Sequence, residues 1–78
     1  MLRRENLLNA RKKVNKTQAQ VALECCIDRT VYSRIETGVI KRVDYELAIL
    51  IARAVKSTAD HIFLPIDVHN IHNKNIVA

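Results

Sequence analysis

The chain has 78 residues, 49% of them apolar, and carries 13 Lys and Arg against 8 Asp and Glu for a net charge of +5, with a pI near 9.6. That length supports one small domain with a thin stability margin, and the surplus of cations favours an anionic partner, of which nucleic acid is the commonest. No run of 18 apolar residues is present to span a membrane and the first residues lack a signal-peptide core, so a cytoplasmic location is expected.

Residues 3–13 read as a first helix, with Leu7, Leu8, Ala10 and Val14 supplying its apolar side. Arg11, Lys12, Lys13 and Lys16 crowd its end and the following loop, where cations suit the negative end of the helix dipole. Asn15 tolerates the left-handed conformation that a tight connection needs. Thr17 can cap a second helix over residues 18–25, and Gln20 completes a T-x-x-Q capping box. Val21 and Ala22 should face the next helix, Ala22 being small enough for a close crossing. Cys25 and Cys26 are adjacent, a spacing at which disulfide geometry strains the intervening peptide. His61, His69 and His72 are far off in sequence, so no metal site is expected and both thiols read as small buried groups.

Asp28 can cap a third helix that ends at Gly38, the chain's only glycine and a residue suited to a left-handed stop. Ile27, Val31 and Ile35 repeat every four residues and form an apolar stripe. Arg29, Thr30, Ser33, Arg34 and Thr37 are left on another face, short, polar and cationic, as a helix entering the major groove should be. Residues 39–43 read as a loop carrying Lys41 and Arg42. Asp44 can cap a fourth helix over 45–55, with Leu47, Leu50, Ile51, Ala54 and Val55 as its core stripe. Ile49 lies off that stripe, between Glu46 and Arg53, which makes the helix apolar on nearly every side, as for a helix that is either central to the core or in contact with a partner. Ser57 or Thr58 caps a short fifth helix over 59–63, with Ile62 and Phe63 turned inward. Leu64-Pro65 ends the helical region. The tail, residues 65–78, is polar but dotted with Ile66, Val68, Ile71, Ile76 and Val77, and reads as disordered or dimer-associated. No nucleophile stands beside a histidine in a recognisable arrangement and no Gly-rich phosphate loop is present, so neither catalysis nor a cofactor is expected.

Residues 17–38 resemble the helix-turn-helix of the phage repressor and Cro-like regulators, the xenobiotic-response-element-type family. The resemblance rests on Thr17-Gln18, Val21-Ala22, Ile27-Asp28-Arg29-Thr30, Ser33-Arg34-Ile35-Glu36 and Gly38, with weaker similarity over about residues 6–63. It implies an all-α, compact five-helix repressor-like DNA-binding domain over residues 1–64, with the motif at helices two and three. Asn15, Cys26 and Lys56 stand where the family often has Gly. Lys16 replaces a usual apolar residue and adds a charge beside the expected phosphate-binding region.

By the same resemblance Arg29, Thr30, Ser33 and Arg34 are base readers. Arg can donate two parallel hydrogen bonds to guanine, and the Thr methyl can pack on a thymine methyl. Arg34, farther down the helix, could instead grip a phosphate. Thr17 and Gln18 at the start of helix two, with Thr37, Lys41 and Arg42 after the recognition helix, become phosphate contacts. Arg11 and Glu36 form a structural ion pair that locks helix one to the motif. Ile49, Ile62, Ile66 and Val68 are the expected dimer surface. The implied function is a sequence-specific regulator of transcription, a repressor, that binds double-stranded DNA as a homodimer on a palindromic operator. The alternative is an antitoxin-like protein-interaction module that captures a partner protein.

Overall fold

The computed structural model describes residues 3–64 and 68–69. Five helices form: α1 (Glu5–Lys13), α2 (Gln18–Glu24), α3 (Arg29–Thr37), α4 (Tyr45–Ala54) and α5 (Ala59–Ile62). Two short strands, β1 (Val43–Asp44) and β2 (Val68–His69), pair in parallel with Val43 opposite Val68. The architecture is a repressor-like helical domain in which α2 packs on α3 and α4, and α1 on α3 and α5. Leu7, Val21, Tyr32, Ala48 and Ile51 are fully enclosed at its centre.

Caps set the helix starts. Thr17 Oγ1 accepts from the Gln20 N–H at 3.1 Å while Gln20 Oε1 accepts from the Thr17 N–H at 2.7 Å, which completes the capping box. Thr58, rather than Ser57, caps α5 through the His61 N–H. Asp28 and Asp44 occupy the N-cap positions of α3 and α4 but make no side-chain cap bond, so their contribution is the carboxylate charge at the helix start.

Three helix ends share one device. After α1, α2 and α4 the chain turns through Asn15, Cys26 and Lys56, all at positive φ of 56–59°. In each case the turning residue donates to a carbonyl three back and the next residue to a carbonyl five back: Lys16 to Arg11, Ile27 to Ala22, Ser57 to Ala52. This is the Schellman arrangement, in which the last helical carbonyls find partners. Glycine is the usual residue at that point, yet the single glycine of this chain sits elsewhere, at the end of α3, with φ 88°.

Several sequence expectations change in the folded chain. In α4 the enclosed residues are Ala48, Ile51, Ala52 and Ala54, followed by Val55, whereas Leu47 is half-buried and Leu50 is 42% exposed. The stripe turns toward the alanines because α4 lies close against α2 and α5, and small side chains fit that approach. In α3 the buried residues are Tyr32, Ile35 and Glu36, while Ile27 and Val31 pack half-buried at the core edge. Of the two thiols only Cys25 is buried, and Cys26 is exposed. Burial pushes the Cys25 thiol up to about 11, with Glu24 adding to the effect.

The stretch after α3 is not purely loop, because its last residue enters β1. Within the tail, Val68 and His69 pair with this same chain. Ile62 is enclosed in the chain's own core at 6% exposure, so it offers almost no surface for a second subunit. Ile66 and the rest of the tail beyond His69 lie outside the described residues.

Candidate nucleic-acid interface

Helix α3 divides cleanly. At about 100° per residue, Arg29, Thr30, Ser33, Arg34 and Thr37 fall on one side and Val31, Tyr32, Ile35 and Glu36 on the other. Burial follows that division: Arg29, Thr30 and Arg34 are exposed and Ser33 and Thr37 partly so, while Tyr32, Ile35 and Glu36 are enclosed. Arg29 and Thr30 open the helix, and that end of a recognition helix is the one that meets base edges. The Thr37 hydroxyl donates to the Ser33 carbonyl at 3.0 Å, so a phosphate bond from it requires that hydroxyl to turn away.

A buried carboxylate fixes the pose of the helix. Glu36, 3% exposed, accepts from Arg11 Nε at 2.8 Å and Arg11 Nη2 at 3.1 Å, so the ion pair is a two-pronged fork. It also accepts from Gln18 Nε2 at 2.8 Å and from the Tyr32 hydroxyl at 2.8 Å. One carboxylate therefore ties α1, α2 and α3 together, and Arg11 adds a bond to the Lys16 carbonyl at 2.9 Å. Burial alone pushes the Glu36 pKa up, but the hydrogen bonds from Arg11, Gln18 and Tyr32 outweigh it and hold the group below the ordinary carboxylate value. Burial, reinforced by the bond to Glu36, keeps the Tyr32 phenol protonated well beyond its usual range. The bond to Glu36 raises the Arg11 guanidinium further still.

Two residues differ from the roles expected of them, and one was not expected at all. Gln18 is half-buried and uses one amide N–H on Glu36, which leaves its second N–H available. Lys16 is turned away from the recognition face. Its ammonium bonds Glu24 at 2.9 Å and the Ala54 carbonyl at the end of α4 at 2.8 Å, so it joins helix ends. Arg4 holds the segment that follows α3: its guanidinium donates to the carbonyls of Ile35, of Ile40 at 2.8 Å and of Lys41 at 2.6 Å. The same group lies 5.1 Å above the Phe63 ring, and the Arg4 N–H donates to the Glu36 carbonyl at 2.9 Å. No local sequence signal marks Arg4, since its hydrogen-bond partners are backbone carbonyls more than thirty residues away. Lys41 and Arg42, both exposed, project from the segment it secures.

A helix-turn-helix family profile matches residues 7–62, most of the chain. The chain belongs to the helix-turn-helix family. A search of curated proteins finds no match. Among solved structures, the restriction-modification controller protein C.AhdI from Aeromonas hydrophila superposes with a TM-score of 0.67 at 20% identity, over 76% of this chain and 88% of that one. At that identity the likeness shows the shared fold. The family match, over residues 7–62, makes this a helix-turn-helix domain of the DNA-binding, transcription-regulating type. Among the described residues no group of three or more His, Cys, Asp or Glu side chains could hold a metal, and no helix is long and apolar enough to cross a membrane.

Proposed function

We propose that the protein is a sequence-specific repressor of transcription that binds a palindromic operator as a homodimer. The observation that carries this reading is the division of α3: its inner side is fixed by Tyr32, Ile35 and Glu36, which leaves Arg29, Thr30, Ser33 and Arg34 on a stiff outward face. Side chains held by a rigid rod can be laid in the major groove in one register, as base readout demands. Arg29 and Arg34 supply forks for guanine and Thr30 a methyl for thymine. Gln18, through its second amide N–H, and Thr17 beside it lie where α2 meets a phosphate. Lys41 and Arg42 extend the cationic track past α3, with Thr37 joining when its hydroxyl rotates. A single motif reads only a few base pairs, so a second copy one helical turn away, about 34–36 Å, doubles the contacts and accounts for a two-fold-symmetric site.

Selection of bound sequences from a random duplex library tests this. The expected result is an inverted repeat with half-sites spaced by one turn. Recovery of unrelated duplexes with equal affinity would leave only non-specific binding. With the site known, Arg29→Ala should relax preference at one or two positions, whereas Lys41→Ala should weaken all sequences alike and reduce the salt slope by about one. Two substitutions that merely scaled affinity would refute the division between readers and phosphate contacts.

A further inference from the structure

Helix α4 turns Tyr45, Glu46, Leu50 and Arg53 to solvent, with Ile49 half-buried among them. Tyr45 is 44% exposed and Leu50 42%. Glu46, Ile49, Leu50 and Arg53 follow an i, i+3, i+4, i+7 spacing and share one stripe two turns long. Along it the chemistry runs acid, aliphatic, aliphatic, base. Glu46 and Arg53 lie about 10 Å apart along the axis at about 1.5 Å rise per residue, too far to neutralise each other. Among the described residues neither has an ion-pair partner.

Such an order is self-complementary. A two-fold axis passing between Ile49 and Leu50 reverses the stripe in a second copy. Laid antiparallel, each Glu46 then faces the second copy's Arg53, and each Arg53 the second copy's Glu46. The four aliphatic side chains meet at the axis, and a Tyr45 flanks each end. A parallel alignment would instead set Glu46 on Glu46 and Arg53 on Arg53. We propose that this face of α4 is where a second copy of the chain docks, antiparallel, through two reciprocal Glu46–Arg53 pairs around Ile49 and Leu50. An interface of this kind repeats one patch on both partners, as closed two-fold dimers require. The aliphatic centre supplies affinity, and the exposed pairs fix direction and exclude the parallel form. The proposal rests on the homodimer of the preceding reading and gives it a surface, which Ile62, buried at home, does not provide.

Sedimentation equilibrium on the intact chain without DNA is the test, with circular dichroism to confirm that each variant folds. Leu50→Glu places two carboxylates at the axis and should raise the dimer dissociation constant at least about a hundredfold. Glu46→Arg and Arg53→Glu each set like charges opposite one another twice, and each should raise it about tenfold. Combining them in one chain, E46R with R53E, should restore wild-type association. An equimolar mixture of the two single variants should form a heterodimer tighter than either homodimer, because both pairs are then of opposite sign. A wild-type dimer that none of these changes moves would overturn the α4 surface and leave the DNA-binding homodimer standing. A wild-type chain that stays monomeric at every concentration and on its selected site would overturn both.

Discussion

Helices α3 and α4 are nearly equal in length and are treated in opposite ways by the fold. The inner side of α3 is secured by large, polar-tipped groups: the Tyr32 hydroxyl donates to Glu36, and the Glu36 carboxylate accepts from Arg11 on α1 and Gln18 on α2. The inner side of α4 is secured by small ones, Ala48, Ala52 and Ala54 around Ile51, and a larger leucine is left outside. Directional bonds hold a helix in one rotational setting, which a reading face requires. Close alanine contacts hold a helix near its neighbours and leave bulk free for its outer face.

The sharpest way to break the contrast is to remove the carboxylate. Glu36→Ala strands the Arg11 guanidinium and unpairs Gln18 and the Tyr32 hydroxyl. Chemical denaturation should show a loss of about 3–5 kcal/mol, a large share of the stability of a small domain. Because the four groups form one network, the effects of Glu36→Ala and Arg11→Met should fall well short of additive. The α4 side is probed next by reversing the usual size preference. Ala52→Leu overpacks the helix crossing and should cost about 1–3 kcal/mol. Leu50→Ala, in solution dilute enough to separate copies, should change stability by less than about 1 kcal/mol, since that side chain is already half in water. If the leucine truncation proved the costlier of the two, the assignment of the packed side would be wrong.

Acidity separates the helices further. The folded state holds the Glu36 pKa below its ordinary value of 4.5. The stabilisation from its ionised form is therefore complete above that value and is lost as pH falls through the lower folded pKa. Denaturant midpoints measured downward from pH 6 should drop along an acid limb, and Glu36→Gln, already less stable, should show a shallower one. No α4 group takes part in that network. The smallest expected change is at the helix stops. Cys26→Gly and Lys56→Gly relieve a left-handed backbone at a side-chain-bearing residue and should add up to about 1 kcal/mol of stability each, read as a higher thermal midpoint. Asn15→Gly should do less, as Asn tolerates that conformation best. A fall in midpoint for Cys26→Gly would mean that its thiol side chain contributes more than the turn geometry suggests.

The local features of the fold were legible because they obey short-range rules. The Thr17 capping box, the left-handed turn at Asn15, the Gly38 stop and the order of the five helices all follow from neighbouring residues, whereas the turn at Cys26 was signalled only by the family resemblance, which has Gly there. Ile51, Ala54 and Val55 were legible as core positions of α4, but the exposure of Leu50 and the burial of Ala48 and Ala52 were not, because hydropathy ranks Leu50 above the two alanines while the crossing distance of two helices selects for size. Tyr32 escaped notice as a core residue because its polar tip hides how much apolar surface its ring can bury. The pairing of Val68 with Val43 joins positions too distant for any periodicity to connect. In the candidate interface the outward set on α3 was readable from spacing, but the tie from Gln18 to Glu36 and the inward turn of Lys16 depend on tertiary neighbours.

Arg4 gives the front of the chain an importance that its position disguises. One side chain there clasps the stretch running from the end of the recognition helix to Lys41 and rests on the ring at the end of the last helix. Trimming or fusing foreign sequence at this end is therefore not a neutral edit. A shortened version could keep every helix and every DNA-facing side chain and still present Lys41 and Arg42 to the duplex from an unsteady footing.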